Sequence, residues 1–238
     1  MIIGVIETGY PPEGLQDNHG NYPSMIESLL SKKFNAFSFK HVSVLNGITD
    51  DVTECDAWII TGSSHGVYEN LLWMQDLRRL ICSAVAQHVP VIGICFGHQI
   101  IAQALGGKVT QSDKGWGLGL ATYQVVYYPE WMNEKTDTIV LPASHQDQVV
   151  ELPDGAKVLA SSAFCPYAAL VYGDVALSFQ GHPEFNIAFL RALIESRKEQ
   201  VKANILDKAL KSIDQLEASN SASLVADWVR AFLMKKQA

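Results

Sequence analysis

Val89-Pro-Val-Ile-Gly-Ile-Cys-Phe-Gly-His-Gln-Ile-Ile-Ala-Gln-Ala-Leu105 changes character at its centre. Val89–Ile94 is almost wholly apolar, as a strand buried on both faces must be. Gly97–Leu105 carries Ile100, Ile101, Ala104 and Leu105 on one helical face. A strand that turns at once into a helix is the repeating unit of a parallel sheet covered by helices.

The same alternation extends in both directions. Upstream, Ile2–Ile6, His41–Leu45 and Asp56–Ile60 read as strands. Ser24 is placed to cap a helix bearing Met25, Ile26, Leu29 and Leu30, with Glu27 in the capping-box position. A longer helix is expected from about Asn70 to Gln87. Downstream, Thr122–Tyr127, Thr138–Leu141, Lys157–Ala160, Tyr167–Tyr172 and Val175–Gln180 are short strand candidates, with Gly173-Asp174 closing a hairpin. From Asn186 the chain reads as helix, with Arg197 breaking the apolar stripe of Ile187, Leu190, Ile194 and Val201. Val225, Trp228, Val229 and Phe232 give a last helix that needs an apolar surface, on its own domain or on a second copy in a homo-oligomer. The expected fold is therefore α/β and flavodoxin-like. It has an open, mostly parallel sheet flanked by helices, a small antiparallel β extension and a helical C-terminal tail. Residues 1–205 form the domain and 206–238 the extension.

Composition narrows the tasks such a fold could perform. The 238 residues carry 18 Lys and Arg against 25 Asp and Glu, a net charge of −7. That balance argues against nucleic acid or an anionic membrane as the main partner, because both require basic patches. No apolar run is long enough for a membrane span, and the start lacks signal-peptide features. The four cysteines form no short-spaced pairs, so free thiols and a cytoplasmic location are expected. No metal-ligand spacing occurs among the seven histidines, and no metal or cofactor is expected. Gly115-Trp-Gly-Leu-Gly119 opens no strand–helix unit, which removes a dinucleotide reading.

The chemistry centres on Gly93-Ile-Cys-Phe-Gly97. A cysteine on a sharp strand-to-helix turn is presented as a nucleophile, and the helix N-terminus beside it favours a thiolate. The next amide, that of Phe96, is placed for a developing oxyanion. From these five residues alone, a buried structural cysteine in a tight turn reads the same way. What separates the two is Gln180-Gly-His-Pro-Glu-Phe185, directly after a strand. Pro183 holds His182 toward an extended conformation, so that Glu184 can meet its imidazole and fix one tautomer. A thiol, a base and a group to orient that base are then all present.

Ile92-Gly-Ile-Cys-Phe-Gly-His-Gln-Ile100, with Ala102 and Leu105-Gly-Gly107, resembles the nucleophile motif of class I glutamine amidotransferases. Gly181-His-Pro-Glu184 resembles the same family's His-Pro-Glu motif. Thr61-Gly-Ser-Ser64 is similar to its glycine-rich oxyanion loop, and Ala143-Ser-His-Gln-Asp-Gln-Val149 to a stretch of the GMP synthase amidotransferase domain. The resemblance spans roughly residues 1–192. It implies Cys95 as nucleophile, His182 as base and later acid, and Glu184 as orienter. It further implies oxyanion donation by Gly62 and Phe96, and substrate contacts from Ser63, Gln99 and the loop Ser144, His145, Gln146 and Asp147. Each oxyanion donor is typically worth about 3–4 kcal/mol.

The implied reaction is hydrolysis of the glutamine side-chain amide to glutamate and ammonia through a γ-glutamyl thioester. Gly181 stands where synthase-type members usually carry Phe. Gly181, Gly115-Trp-Gly117 and Asn18–Tyr22 look more like stand-alone relatives, which include plant γ-glutamyl peptidases. Glutamine and γ-glutamyl peptides present the same scissile carbonyl. No synthetase phosphate loop is present, so an ammonia acceptor would be a separate synthetase protein. The remaining alternative is a silent regulatory subunit that keeps the fold. Trp116 lies just before a strand near the expected active-site face, and His65, His98 and His145 flank it.

Overall fold

The computed structural model describes residues 1–31, 36–48 and 51–235. Its framework is a nine-stranded sheet in the order β2-β1-β3-β4-β11-β10-β9-β6-β7. The first five of these are mutually parallel: β2 (Ser38–Ser43), β1 (Ile2–Glu7), β3 (Ala57–Ile60), β4 (Val91–Ile94) and β11 (Ala176–Phe179). An antiparallel extension continues through β10 (Ala169–Tyr172), β9 (Lys157–Ser161), β6 (Gly117–Val125) and β7 (Thr138–His145). Beside it, β5 (Lys108–Gln111) and β8 (Asp147–Glu151) form a separate two-stranded ribbon.

Side-chain alternation in the central strands builds two cores. Ile3, Val5, Ala57, Ile59, Ile92 and Ile94 face α2 (Tyr22–Ser31) and α7 (Ala222–Met234). Trp58, Ile60 and Val91 face α3 (Leu72–Ala86) and α4 (Phe96–Ala104) on the other side. A short α1 (Gln16–His19) precedes α2. A third apolar cluster joins Leu190 and Ile194 of α5 (Ile187–Ser196) and Ala209 and Ile213 of α6 (Ala203–Leu216) to Leu120 and Val140.

This is the expected α/β architecture, with several local differences. The second strand begins at Ser38, in register with Ile2, and ends before Leu45, because Val44–Asn46 tighten into a 3₁₀ turn. Ser24 lies inside α2 rather than at its start. Asn21 performs the capping, its Oδ1 accepting from Ser24 N–H at 3.1 Å. Pro23 in the first turn suits this placement, since no helical donor is lost there. The Ser144–Asp147 segment is a corner between strands rather than a loop. The chain leaves β7, paired with β6, and enters β8, paired with β5, so it changes sheets at Gln146.

The helical tail packs on this same chain. Val225, Trp228, Phe232 and Leu233 of α7 are buried in the core that contains β1 and β3. α6 spans Ala203–Leu216, so the division expected at residue 205 falls within that helix. Residues 236–238 of the expected extension lie outside the described residues.

Candidate active site

Cys95 occupies the single step between β4 and α4, with φ 53° and ψ −102°. A non-glycine residue in this region stores about 1–3 kcal/mol of backbone strain. Surrounding hydrogen bonds hold it there: its N–H donates to Phe179 O at 2.8 Å, and its carbonyl accepts from Gln99 N–H at 3.0 Å. The flanking glycines are required by space. A Cβ on Gly93 would lie 2.5 Å from the Gly97 carbonyl, and one on Gly97 would lie 2.3 Å from Ile60 O. Phe96 begins α4, and its ring is buried against Trp73, so only its backbone is placed to serve the cysteine side.

The His-Pro-Glu segment leaves β11 and reaches the same point. His182 N–H donates to Pro142 O at 2.8 Å, and the imidazole stacks on Phe185 at 3.9 Å between ring centres. Its Nδ1 is 2.7 Å from Glu184 Oε1. Burial opposes charge on His182, but the Glu184 carboxylate and then the Cys95 sulfur outweigh it, raising its pKa above the usual histidine range. Asn186 then caps α5 through Phe189 N–H at 2.8 Å, which fixes where the segment ends.

Gly62 approaches both groups. A Cβ there would be 3.1 Å from His182 Cε1 and 3.8 Å from Cys95 Cβ. Ser63 Oγ donates to Thr8 O at 2.7 Å and lies on the cavity wall. Gln99 is buried and its amide is already used, donating to Asp147 O at 3.0 Å and Gln180 Oε1 at 3.1 Å. It thereby ties α4 to the β7–β8 corner. Ser144 Oγ is buried without a hydrogen-bond partner among the described residues. His145 donates through Nδ1 to Asp147 O at 3.1 Å, and burial drives its pKa down to about 4, so it is neutral at pH 7. Gln146 accepts from Gln111 at 3.0 Å, and Asp147 from Tyr68 at 3.2 Å.

Two clefts open onto Cys95. One, of about 250 Å³, is lined by Gly62, Ser63, Cys95, His182, Tyr22 and Arg197 among others. The other, of about 220 Å³, includes Cys95, Gln99, Ser144, His145, Gln146 and Asp147. Every expected site residue except Phe96 therefore lies on a cleft wall or, like Glu184, directly behind one. Of the flanking histidines, His65 is exposed on the second wall beside Glu69. His98 turns into the core, Nδ1 2.8 Å from Ser178 Oγ.

The structure also brings Arg197, Tyr22 and Phe185 to the site, which the sequence did not lead us to expect. Arg197 had a visible signal, a charge interrupting the apolar stripe of a helix. No such signal marks Tyr22 or Phe185. Among the described residues, no group of three or more His, Cys, Asp or Glu side chains could hold a metal, and no helix is long and apolar enough to cross a membrane.

The family model for class-I glutamine amidotransferases matches residues 15–191. The chain belongs to this family. It is 31% identical over 214 residues to γ-glutamyl peptidase 4 of Arabidopsis thaliana, covering 87% of this chain and 85% of that one. It is 39% identical over 115 residues to one subunit of the glutamine-hydrolysing GMP synthase of Thermococcus kodakarensis, covering 43% of this chain and 57% of that one. In structure it is similar to a glutamine amidotransferase from Thermotoga maritima, with a TM-score of 0.76 at 21% identity over 99% of this chain and 97% of the other. The last likeness concerns the fold alone.

Proposed function

We propose that this class-I glutamine amidotransferase family member hydrolyses γ-glutamyl amide bonds by covalent catalysis at Cys95. The observation that carries the reading is the convergence of Cys95, in its strained turn, with His182, itself bonded to buried Glu184, in one cavity. His182 takes the proton of the Cys95 thiol, and the Cys95 sulfur attacks the side-chain carbonyl carbon of the γ-glutamyl group. As the S–C bond forms, the oxygen becomes an oxyanion that accepts from the Gly62 and Phe96 amides. His182 gives its proton to the departing nitrogen, the C–N bond breaks, and a γ-glutamyl thioester remains. Water then loses a proton to His182 and attacks the thioester. The S–C bond breaks, the proton on His182 returns to the Cys95 sulfur, and glutamate leaves.

In this mechanism Glu184 holds the His182 tautomer and stabilises its charged form. Ser144 Oγ and the Asp147 carboxylate receive the glutamyl head, with Ser63 and Gln146 beside it. His145, neutral and fixed by Asp147 O, shapes that corner rather than exchanging protons. Gln99 holds the corner in place.

Glutamine is the smallest compound with this scissile amide, and for it the product ammonia would pass to a separate synthetase. A larger leaving group is favoured by one specific feature: two cavities, of about 250 and 220 Å³, are both lined by Cys95. The extent of the likeness to γ-glutamyl peptidase 4 agrees with that reading. Acid quenching during turnover, followed by peptide mass analysis, is the test. A γ-glutamyl adduct on the Cys95 peptide is expected. Turnover with no adduct on any cysteine would overturn covalent catalysis.

A further inference from the structure

The site contains a cation that the reaction described above does not use. Arg197 caps the C-terminal end of α5, its N–H donating to Ile194 O at 3.1 Å and its carbonyl accepting from Gln200 and Val201 at 2.9 and 3.0 Å. The guanidinium lies over the Trp116 ring, 4.6 Å from its centre. Arg197 is half-buried, and its Nε is buried without a hydrogen-bond partner among the described residues. Among the described residues no carboxylate forms an ion pair with it.

The nearby acids are occupied. Glu69 accepts from Gly66 N–H at 2.7 Å and lies 2.8 Å from His65 Nδ1, and Asp147 accepts from Tyr68 at 3.2 Å. A cation removed from water without a counter-charge is costly, and burial disfavours the charged form of Arg197. The Tyr22 hydroxyl and the Cys95 sulfur offset part of that cost, and an arriving anion offsets the rest. The planar guanidinium fork, held flat on an indole, matches a carboxylate.

Arg197 lines both clefts, and among the described residues it is the one lysine or arginine on either wall. Glu69 and Asp147 place negative charge in the second cleft, which suits the α-ammonium group of a glutamyl head. With the glutamyl head there, the space left for the other half of a γ-glutamyl amide is the first cleft, whose walls include Tyr22, Leu193 and Gln200. We propose that Arg197, braced on Trp116, is a specificity-determining residue that binds a carboxylate carried by the leaving half of the substrate. This rests on the γ-glutamyl hydrolase reading and narrows it to γ-glutamyl amides of amino acids or short peptides with a free carboxylate.

The test uses two matched substrate pairs. They are γ-glutamylglycine with γ-glutamylglycinamide, and γ-glutamyl-alanylglycine with its C-terminal amide. The wild type favours the carboxylate by about tenfold or more in kcat/KM in at least one pair, the scale of one charge-assisted hydrogen-bonded contact. Arg197→Met brings that ratio to near one while the amide substrates keep most of their turnover, and Arg197→Lys retains part of the preference. Because each ratio is taken within one variant, a partly misfolded preparation does not alter it. A wild-type ratio near one in both pairs overturns the assignment, as does a preference that survives Arg197→Met. Equal loss toward carboxylate and amide also overturns it, since that would place Arg197 on the glutamyl head. Turnover of glutamine with none of the four amides defeats this assignment alone, whereas no turnover of any of the five defeats the hydrolase reading as well.

Discussion

Glu184 Oε1 meets His182 Nδ1 at 2.7 Å, and only 1% of the Glu184 side chain and 4% of the His182 side chain are exposed. The second oxygen, Oε2, is buried without a hydrogen-bond partner among the described residues. In so dry a setting the carboxylate has one evident electrostatic task, which is to favour a charged, correctly oriented imidazole.

Glu184→Gln should therefore lower kcat by a factor on the order of 10²–10⁴, the range for losing the group that orients a catalytic histidine. The pH profile should move as well. The carboxylate raises the His182 pKa against burial, so the protonated imidazole persists as pH rises and is lost only above that raised value. Removing the charge lowers the pKa, and the alkaline limb of kcat/KM should move to lower pH. A Glu184→Gln enzyme with reduced kcat but an unmoved alkaline limb would argue for a packing role.

The turn at Cys95 depends on backbone proximity at Gly97. A methyl group there would meet Ile60 O at 2.3 Å, and a backbone carbonyl cannot swing aside as a flexible side chain can. Gly97→Ala should cost about 1–3 kcal/mol by urea denaturation, and the displaced start of α4 should depress turnover beyond the loss of folded protein. Unchanged stability and unchanged rate would show the contact to be accommodated.

Trp228 tests whether the tail belongs to this domain. It is 1% exposed, and its Nε1 donates to Glu134 O at 2.9 Å. Trp228→Ala should lower stability by about 3–5 kcal/mol, as expected for emptying a large aromatic site. Specific activity per folded molecule should change little, since α7 contributes no side chain to either cleft described above. A loss below about 1 kcal/mol would mean the helix is dispensable to the fold.

Much of the site is legible in the sequence because its signals are local. Gly93-Ile-Cys-Phe-Gly97 and Gly181-His-Pro-Glu184 each carry their geometry within five residues, and the strands that aim them, β4 and β11, are short runs buried at every position. The β5–β8 ribbon is not legible, since in Lys108-Val-Thr-Gln111 Val109 is the one buried residue and gives no period. Arg197 shows in the sequence only as an interruption. Its role depends on Trp116, a contact set by the docking of α5 near the start of β6 rather than by anything adjacent in the chain. Ser24 misleads because it satisfies a capping pattern three residues into a helix that Asn21 caps.

The most direct test is glutamate release from glutamine and from γ-glutamylglycine, measured for the wild type and for Cys95→Ala. The account predicts that the wild type turns over at least one of the two and that Cys95→Ala abolishes it while remaining folded by circular dichroism. Release that survives in Cys95→Ala, or a wild type silent toward both compounds, would contradict it.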